Sequence, residues 1–385
     1  MIVRSELIGL LRNTIAFETT NPPGRELDLS KYIAEYLSDT TCHIEVQGLG
    51  GDRGNVIAVI RGKSREDALM LNGHLDTVPF GDPDSWISPP GTMSERDGRV
   101  YARGTSDMKS GLCAALYAFK QFALSGKEPD RDILFVGTAD EEVDGIGARA
   151  VVEAGWLEHV GSIIIGEPTG NDLGLCTKGT IWLRCEITGK TSHAAYPEQG
   201  INAITEAFNL YESLRGHVTI SKGHHLLGDS TCTLTQIQAG VKVNVIPDKC
   251  VAWIDIRTLP DLCHDDLLRK FREAARLLES SKPGLTVNLH VVNDRMPVSA
   301  DADCSIAREL AHSYYEVCDT KIKPIGASFF TDASIFLKEK QIDVVCFGSG
   351  KSDEAHKANE SVCIIEYETA AKVYLKLLEN LACKS

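Results

Sequence analysis

Short apolar runs that end in ionisable residues recur along this chain, and they constrain its fold more than any other feature. Ala68-Leu69-Met70-Leu71 leads into His74 and Asp76. Asp132 to Thr138, DILFVGT, leads into Asp140, Glu141 and Glu142. Ser162 to Ile165, SIII, leads into Glu167. Short apolar runs of roughly four to eight residues read as buried strands. Helical periodicity lies between them, at 110–124 and at about 145–155. Strands alternating with helices predict a mostly parallel sheet flanked by helices, an α/β fold. Such sheets bind ligands beyond the carboxyl ends of their strands. His74, Glu142 and Glu167 are expected to converge there. His74 and Asp76 are two positions apart, so an extended backbone projects both from one face. A metal-binding imidazole needs a carboxylate or carbonyl on its other nitrogen, and Asp76 is placed to provide one.

Before these strands, 5–17 and 27–38 read as amphipathic helices, separated by the breaker Asn21-Pro22-Pro23-Gly24. Residues 79–101 read as a long, turn-rich irregular loop, a kind of connection that is more often functional than not. Ser106-Asp107 stands just before the helix 110–124, where N-cap residues belong. Asp107 therefore reads as either a helix cap or a ligand. The pattern changes after Lys178. Strand 180–188, helix 201–215, strands 231–239 and 249–258, helix 264–279 and strand 285–292 follow in the order β-α-β-β-α-β of a ferredoxin-like unit. Helix 302–317, strand 343–348 and helix 364–382 then resume the first pattern. The expected organisation is a catalytic domain formed by 1–177 and 294–385, with 178–293 inserted into it. Between the last strand and the last helix, Ser352 to Glu360 contributes His356.

A length of 385 residues suits two domains. The net charge of −14 argues against affinity for nucleic acid or an anionic membrane. No apolar run approaches the ~18 residues of a membrane span, and the N-terminus reads as lacking a signal peptide. The 12 cysteines form no C-x-x-C pair. They read as reduced, buried small hydrophobes of a cytoplasmic protein.

His74, Asp107, Glu142, Glu167 and His356 make two imidazoles and three carboxylates, a donor set that zinc accepts. Five ligands suit two metal ions if one carboxylate bridges. Two such ions can together hold a hydroxide and polarise an acyl oxygen. Without cations, the crowded carboxylates would repel one another and their pKa values would rise. Adjacent residues point apart, so Glu142 can bind metal while Glu141 faces the water as general base.

GHLDTVP, RGTSDMKSG, TADEE, GEPT and DEAHKANE together resemble the di-zinc metallopeptidase family of acetylornithine deacetylase and succinyl-diaminopimelate desuccinylase, whose relatives include carboxypeptidases and aminoacylases. The resemblance covers nearly the whole chain. It implies that His74, Asp107 and Glu167 hold one zinc, and that Asp107, Glu142 and His356 hold the other, with Asp107 bridging. Cobalt or manganese are alternatives to zinc. It implies that Asp76 orients His74, that Glu141 is the general base, and that a cis peptide follows Asp107. The inserted domain is similar to the family's lid and dimerisation domain. His193 matches a histidine that reaches the other subunit's site and stabilises the oxyanion, which implies a homodimer. Asn244 and Arg257 match positions that grip a substrate carboxylate.

The resemblance implies a deacylase that cleaves the amide bond of N-acyl amino acids by metal-bound hydroxide. A dipeptidase or carboxypeptidase acting on short peptides is the alternative within the family. Outside it stand a two-metal phosphoesterase and a non-catalytic binding protein on the same fold. One departure from the desuccinylase branch stands out. Where that branch has Gly-Gly-Thr-Ser-Asp, this chain reads Gly326-Ala327-Ser328-Phe329-Phe330-Thr331-Asp332. Phe329 and Phe330 either shape an apolar pocket or pack in the core.

Overall fold

The alternation of apolar strands and helices builds a sheet whose middle is parallel. The computed structural model describes residues 2–219, 223–338 and 340–382. The chain forms two compact units, one of residues 1–176, 299–327 and 331–385, the other of 177–298 and 328–330. The hydrophobic pattern places the return to the first unit at 294. In the structure, the strand Thr286–Arg295 carries the second unit on to Val298.

In the first unit, Arg131–Thr138, Ser64–His74, Val160–Ile165 and Asp343–Cys346 lie side by side and parallel. His74 is level with Thr138, and Ile165 with both Asn72 and Cys346. The carboxyl ends therefore finish along one edge, and whatever follows each strand is delivered there. Leu69, Met70, Leu71, Ile163 and Ile164 are fully buried. Each contributes about 1.5–3 kcal/mol by leaving water. On one flank, Arg53–Ile60 and His43–Gly50 continue the sheet antiparallel. The outermost strand escaped the sequence reading because its residues alternate between half-buried and exposed, so it carries no apolar run. Leu173–Thr177 continues the sheet antiparallel on the other flank.

Helices Lys109–Leu124 and Ile364–Ala382 pack against each other, with Arg4–Ile15 and Ser305–Cys318 beside them. The first of these is buried on almost every face, from Lys109 to Phe119, as an interior helix must be. Its start comes very close to the end of Val160–Ile165. A Cβ built on Gly111 would stand 1.8 Å from the Gly166 carbonyl oxygen. Glycine at 111 is thus what lets Asp107 come up beside Glu167.

Residues 79–101 are less irregular than the sequence suggests. Ser94–Arg96 and Arg99–Tyr101 form a hairpin around Asp97-Gly98, both with left-handed φ, of 51° and 75°. Asp-Gly is the expected turn for such a hairpin. Ser361–Cys363 adds a third strand to it, which anchors the segment carrying His356. The cysteines are also less uniform than expected. Among the described residues all are free, but Cys42, Cys304, Cys318 and Cys363 are half-buried and Cys263 is exposed. Cys263 and Cys304 stand at helix N-caps, where a side chain faces outward. Cys383 lies outside the described residues.

The second unit is an antiparallel sheet in the order Thr231–Ala239, Lys249–Thr258, Gly179–Thr188, Thr286–Arg295. Helices Ala203–Val218 and His264–Ser281 cover one face. Ile181, Leu183, Cys185 and Ile187, at alternate positions, point into its core. This is the β-α-β-β-α-β arrangement. No helix of the described residues is long and apolar enough to cross a membrane.

Gly111→Ala is expected to destabilise the protein by about 1–3 kcal/mol or more through overpacking, and to weaken metal retention. Thermal melts and metal analysis of the purified variant measure both. Wild-type values would show that the helix and strand do not need this approach.

Candidate metal centre

Each strand end delivers its residue to one small volume of the first unit. His74, the last residue of its strand, is 2% exposed. Its Nδ1 lies 3.0 Å from the main-chain oxygen of Asp76, and its Nε2 lies 3.1 Å from Asp107 Oδ1. The orienting partner is thus the carbonyl of Asp76, while the carboxylate stands back at 3.6 Å. With Nδ1–H donated to that carbonyl, the Nε2 lone pair faces the carboxylates.

Asp107 does not cap the helix that follows it. The N-cap position is Met108, which makes no side-chain cap. The Asp107 carboxylate instead spans two imidazoles, with Oδ1 on His74 and Oδ2 3.3 Å from His356 Nε2. The Asp107–Met108 peptide is cis. His356 Nε2 also lies 3.3 Å from Glu142. Ligand atoms of His74, Asp107 and Glu142 all lie within 4.8 Å of one another. Glu167 is 3% exposed.

Asp76 has a second task. Its Oδ1 accepts the N–H of Glu141, and its Oδ2 the N–H of Glu142, both at 3.2 Å. It thereby fixes the turn that turns the two glutamates apart. Asn21 Nδ2 bridges Asp76 and Asp140, at 2.8 Å each. Arg53 pairs with Asp140 at 2.8 Å and forks onto Glu26 at 2.6 and 2.8 Å. On the opposite side, Glu360 Oε1 accepts the N–H groups of Ser106 and Asp107 at 2.8 and 3.0 Å. Its Oε2 pairs with Arg103 at 2.6 Å, both side chains being buried. Asp332 is buried and accepts from the Thr138 hydroxyl at 2.6 Å. Sequence reading missed Asn21, Asp140, Glu360 and Asp332 as parts of the site. Asp140 and Glu360 sit inside motifs that were singled out. Asn21 reads locally as part of a chain break, and nothing near it in sequence points to the site.

The charges here are strongly displaced. Burial, then the nearby Glu167, Asp332 and Glu142, push the Glu141 carboxyl well up, against the pull of His74. Glu167 is raised well above the usual range by burial and then by Asp107. Burial would also raise Asp107, but its bonds to His356 and His74 overcome this and hold it low. Bonds to Asp107 and Glu142 raise His356 to about 10. Without a metal, protons on the imidazoles balance these carboxylates, and a divalent cation would take the place of those protons and leave the Nε2 lone pairs free to bind it. Metal–ligand bonds of ~2.0–2.2 Å at a tetrahedral angle set two donors ~3.3–3.6 Å apart. The 3.3 Å separations of His356 from Asp107 and Glu142 fit that spacing, and the 3.1 Å between His74 and Asp107 is slightly shorter. Glu141 Oε1 is buried and has no hydrogen-bond partner among the described residues. It suits a proton acceptor facing a water.

The remaining expected residues lie in the second unit. His193 is exposed on a two-residue strand that pairs with Val245–Ile246, and the Ala194 N–H donates to the Asn244 carbonyl at 3.0 Å. His193 and Asn244 are thus neighbours. The Arg257 guanidinium is forked onto Asp255, at 2.9 and 3.1 Å. Phe329 and Phe330 are half-buried rather than core residues. Phe330 stands edge-on to Trp182 at 6.2 Å and under the Arg295 guanidinium at 5.4 Å.

Comparison with known proteins gives consistent results. A sequence model of peptidase family M20/M25/M40 matches residues 70–380. A probable succinyl-diaminopimelate desuccinylase of Staphylococcus aureus is 26% identical, the match covering 96% of this chain and 97% of that one. The crystal structure of an aminopeptidase from Bacillus cereus superimposes with a TM-score of 0.80 at 18% identity, over 99% of each chain. A Bacillus subtilis protein described as a dinuclear metal-binding peptidase of family M20 superimposes with a TM-score of 0.71 at 18% identity, over 98% of each chain.

Metal analysis of protein loaded with zinc and then desalted should find two ions per chain. His356→Ala, which removes the group facing both Asp107 and Glu142, should retain one. Two ions retained by this variant would show that His356 is not a ligand.

Proposed function

Because the chain belongs to peptidase family M20/M25/M40, we propose that it is a zinc-dependent deacylase, a cytoplasmic homodimer that hydrolyses the amide bond of an N-acyl amino acid. The observation that carries this reading is Glu141. It is a buried carboxylate with one unpartnered oxygen and a raised pKa, beside a cluster of imidazole and carboxylate donors. Two divalent cations, zinc or else cobalt or manganese, held by His74, Asp107 and Glu167 and by Asp107, Glu142 and His356, would supply a water ionised near neutral pH and a Lewis acid for the carbonyl.

The chain's own residues do the rest. Asp76 holds the Glu141-Glu142 turn and the imidazole of His74, which keeps the base and the ligands in register. Glu141 takes a proton from the attacking water. It then delivers that proton to the departing amine, whose bond to carbon breaks as the tetrahedral centre collapses. Burial of His74, Glu141 and Glu167 strengthens their charge interactions, while His356 stands at the open side of the site. His193 from the second subunit donates to the developing oxyanion. Asn244 and Arg257 receive the substrate carboxylate, for which Arg257 exchanges Asp255. The desuccinylase relative supports an N-acyl amino acid as substrate, and the free thiols fit a reducing compartment. The likeness to an aminopeptidase keeps a short peptide as the second reading, separable by substrate.

A panel of N-succinyl and N-acetyl amino acids, set against dipeptides and tripeptides, tests the assignment on the zinc-loaded enzyme. Turnover of the acyl compounds is expected to exceed that of the peptides, and Glu141→Gln should lower it by about 10²–10⁴-fold with both ions retained. Faster cleavage of peptides would favour the second reading. A Glu141→Gln enzyme with near-normal kcat would sink the mechanism. Full metal content without turnover of any substrate would favour a binding protein.

The dimer is tested by mixing two inactive variants, Glu141→Gln and His193→Ala, after unfolding and refolding together. If His193 acts across subunits, mixed dimers hold one intact site and regain activity. A mixture as inactive as its parts would refute the trans arrangement.

A further inference from the structure

Beside Lys109, at the start of helix Lys109–Leu124, the first unit holds a cavity of about 190 Å³ that the proposed reaction does not use. Its wall includes Arg103, Lys109, Thr20 and Thr77, and Glu18 is exposed at its rim. The polar groups inside are incompletely matched. Arg103 is 4% exposed. Its Nη1 donates to the Glu360 carboxylate and the Lys357 carbonyl, and its Nη2 to the Pro79 carbonyl. Its Nε has no partner among the described residues. Lys109 is 2% exposed, and its ammonium donates to the carbonyls of Thr14 and Phe17, both at 3.2 Å. An ammonium has three protons to give, so one is left. Among the described residues no carboxylate pairs with it. The buried Thr20 hydroxyl oxygen also lacks a partner.

Three unmatched polar groups on one cavity wall call for an occupant, since a buried donor without an acceptor is costly. Water answers the hydrogen bonds but leaves the charge. The Arg103 charge is met by Glu360, whereas Lys109 has only carbonyls within hydrogen-bond distance. Burial lowers its pKa to about 8, and Asp76, Glu360 and Glu26, which raise it, act from further off and are bound to Asn21, Arg103 and Arg53. A buried cation with no close counter-ion is disfavoured. Glu18 sits in solvent at the rim, where its field is screened. The space is more than ten times the ~10–15 Å³ that one water needs, so a small anion fits together with water.

We propose that this cavity is a binding site for a small monovalent anion, a halide or a short carboxylate, held by Arg103 Nε, the Lys109 ammonium and the Thr20 hydroxyl. Such an anion touches the metal centre from two directions. Arg103 clamps Glu360, which holds the N–H of Asp107. Thr20 is bridged to Thr77, and their neighbours are Asn21 and Asp76. Occupancy therefore stiffens both supports of the centre without entering it.

Crystals of the metal-loaded protein soaked in sodium bromide should show an anomalous peak between Arg103 and Lys109. A parallel soak in sodium formate should show flat, three-atom density if carboxylates enter, and water only if the site is restricted to halides. In solution, exchanging gluconate for the bound anion at constant ionic strength should raise the Tm by about 3 °C at ~10 times the anion's Kd. Thr20→Val should reduce this shift and Lys109→Met should abolish it. Water alone in the cavity in both soaks would overturn the proposal. So would a bromide peak without any shift that these variants remove, which would mark an adventitious ion only.

Discussion

Carboxylates repel one another, and this protein gathers buried Glu141 and Glu167 with half-buried Asp107 and Glu142 in one place. Everything around the centre follows from making that tolerable. His74 and His356 are set against opposite oxygens of Asp107, so the most crowded acid is also the best compensated. The sheet contributes by ending its parallel strands level, which gives the acids a shared edge and a common distance from the core. The supports are arranged in pairs. Asp76 and Asn21 hold the glutamate turn from below, and Glu360 and Arg103 hold the Asp107 loop from the side. A site assembled from loops alone would let the acids drift apart.

The division between what the sequence revealed and what it hid has a physical basis. The positions of His74, Glu142 and Glu167 at the carboxyl ends of strands were legible because each follows an apolar run, and a run long enough to be a buried strand announces both its own burial and its end. The ferredoxin-like unit was legible for the same reason, through alternation in Gly179–Thr188 and its partners. Asp107 was ambiguous because a residue ahead of a helix has an ordinary reason to be acidic. Only the tertiary contact with two imidazoles shows that its carboxylate turns away from the helix end. Asn21 and Glu360 were illegible as supports, because they act through side chains on backbone groups far along the chain. The hairpin at Asp97-Gly98 was a local signal that a surrounding run of prolines and aspartates obscured.

Arg53 and Arg103 show how buried charge is used here. Each guanidinium lies next to a carboxylate that itself holds the site: Arg53 beside Asp140, and Arg103 beside Glu360. Neither is a surface ion pair of the kind that contributes little. Removing either partner would strand a charge in a place without water, and such losses run to about 3–5 kcal/mol. The supports are therefore stiff but brittle, which suits ligands that must hold a cation rather than adapt to one.

His356 meets Glu142 across 214 positions of sequence, and the strand that anchors it, Ser361–Cys363, is almost the last before the final helix. As the polypeptide leaves the ribosome, His74 and Glu167, at the ends of Ser64–His74 and Val160–Ile165, emerge long before the second imidazole does. A nascent chain can thus gather the first half of the centre but cannot complete it. The order of synthesis itself withholds hydrolytic power until His356 has emerged.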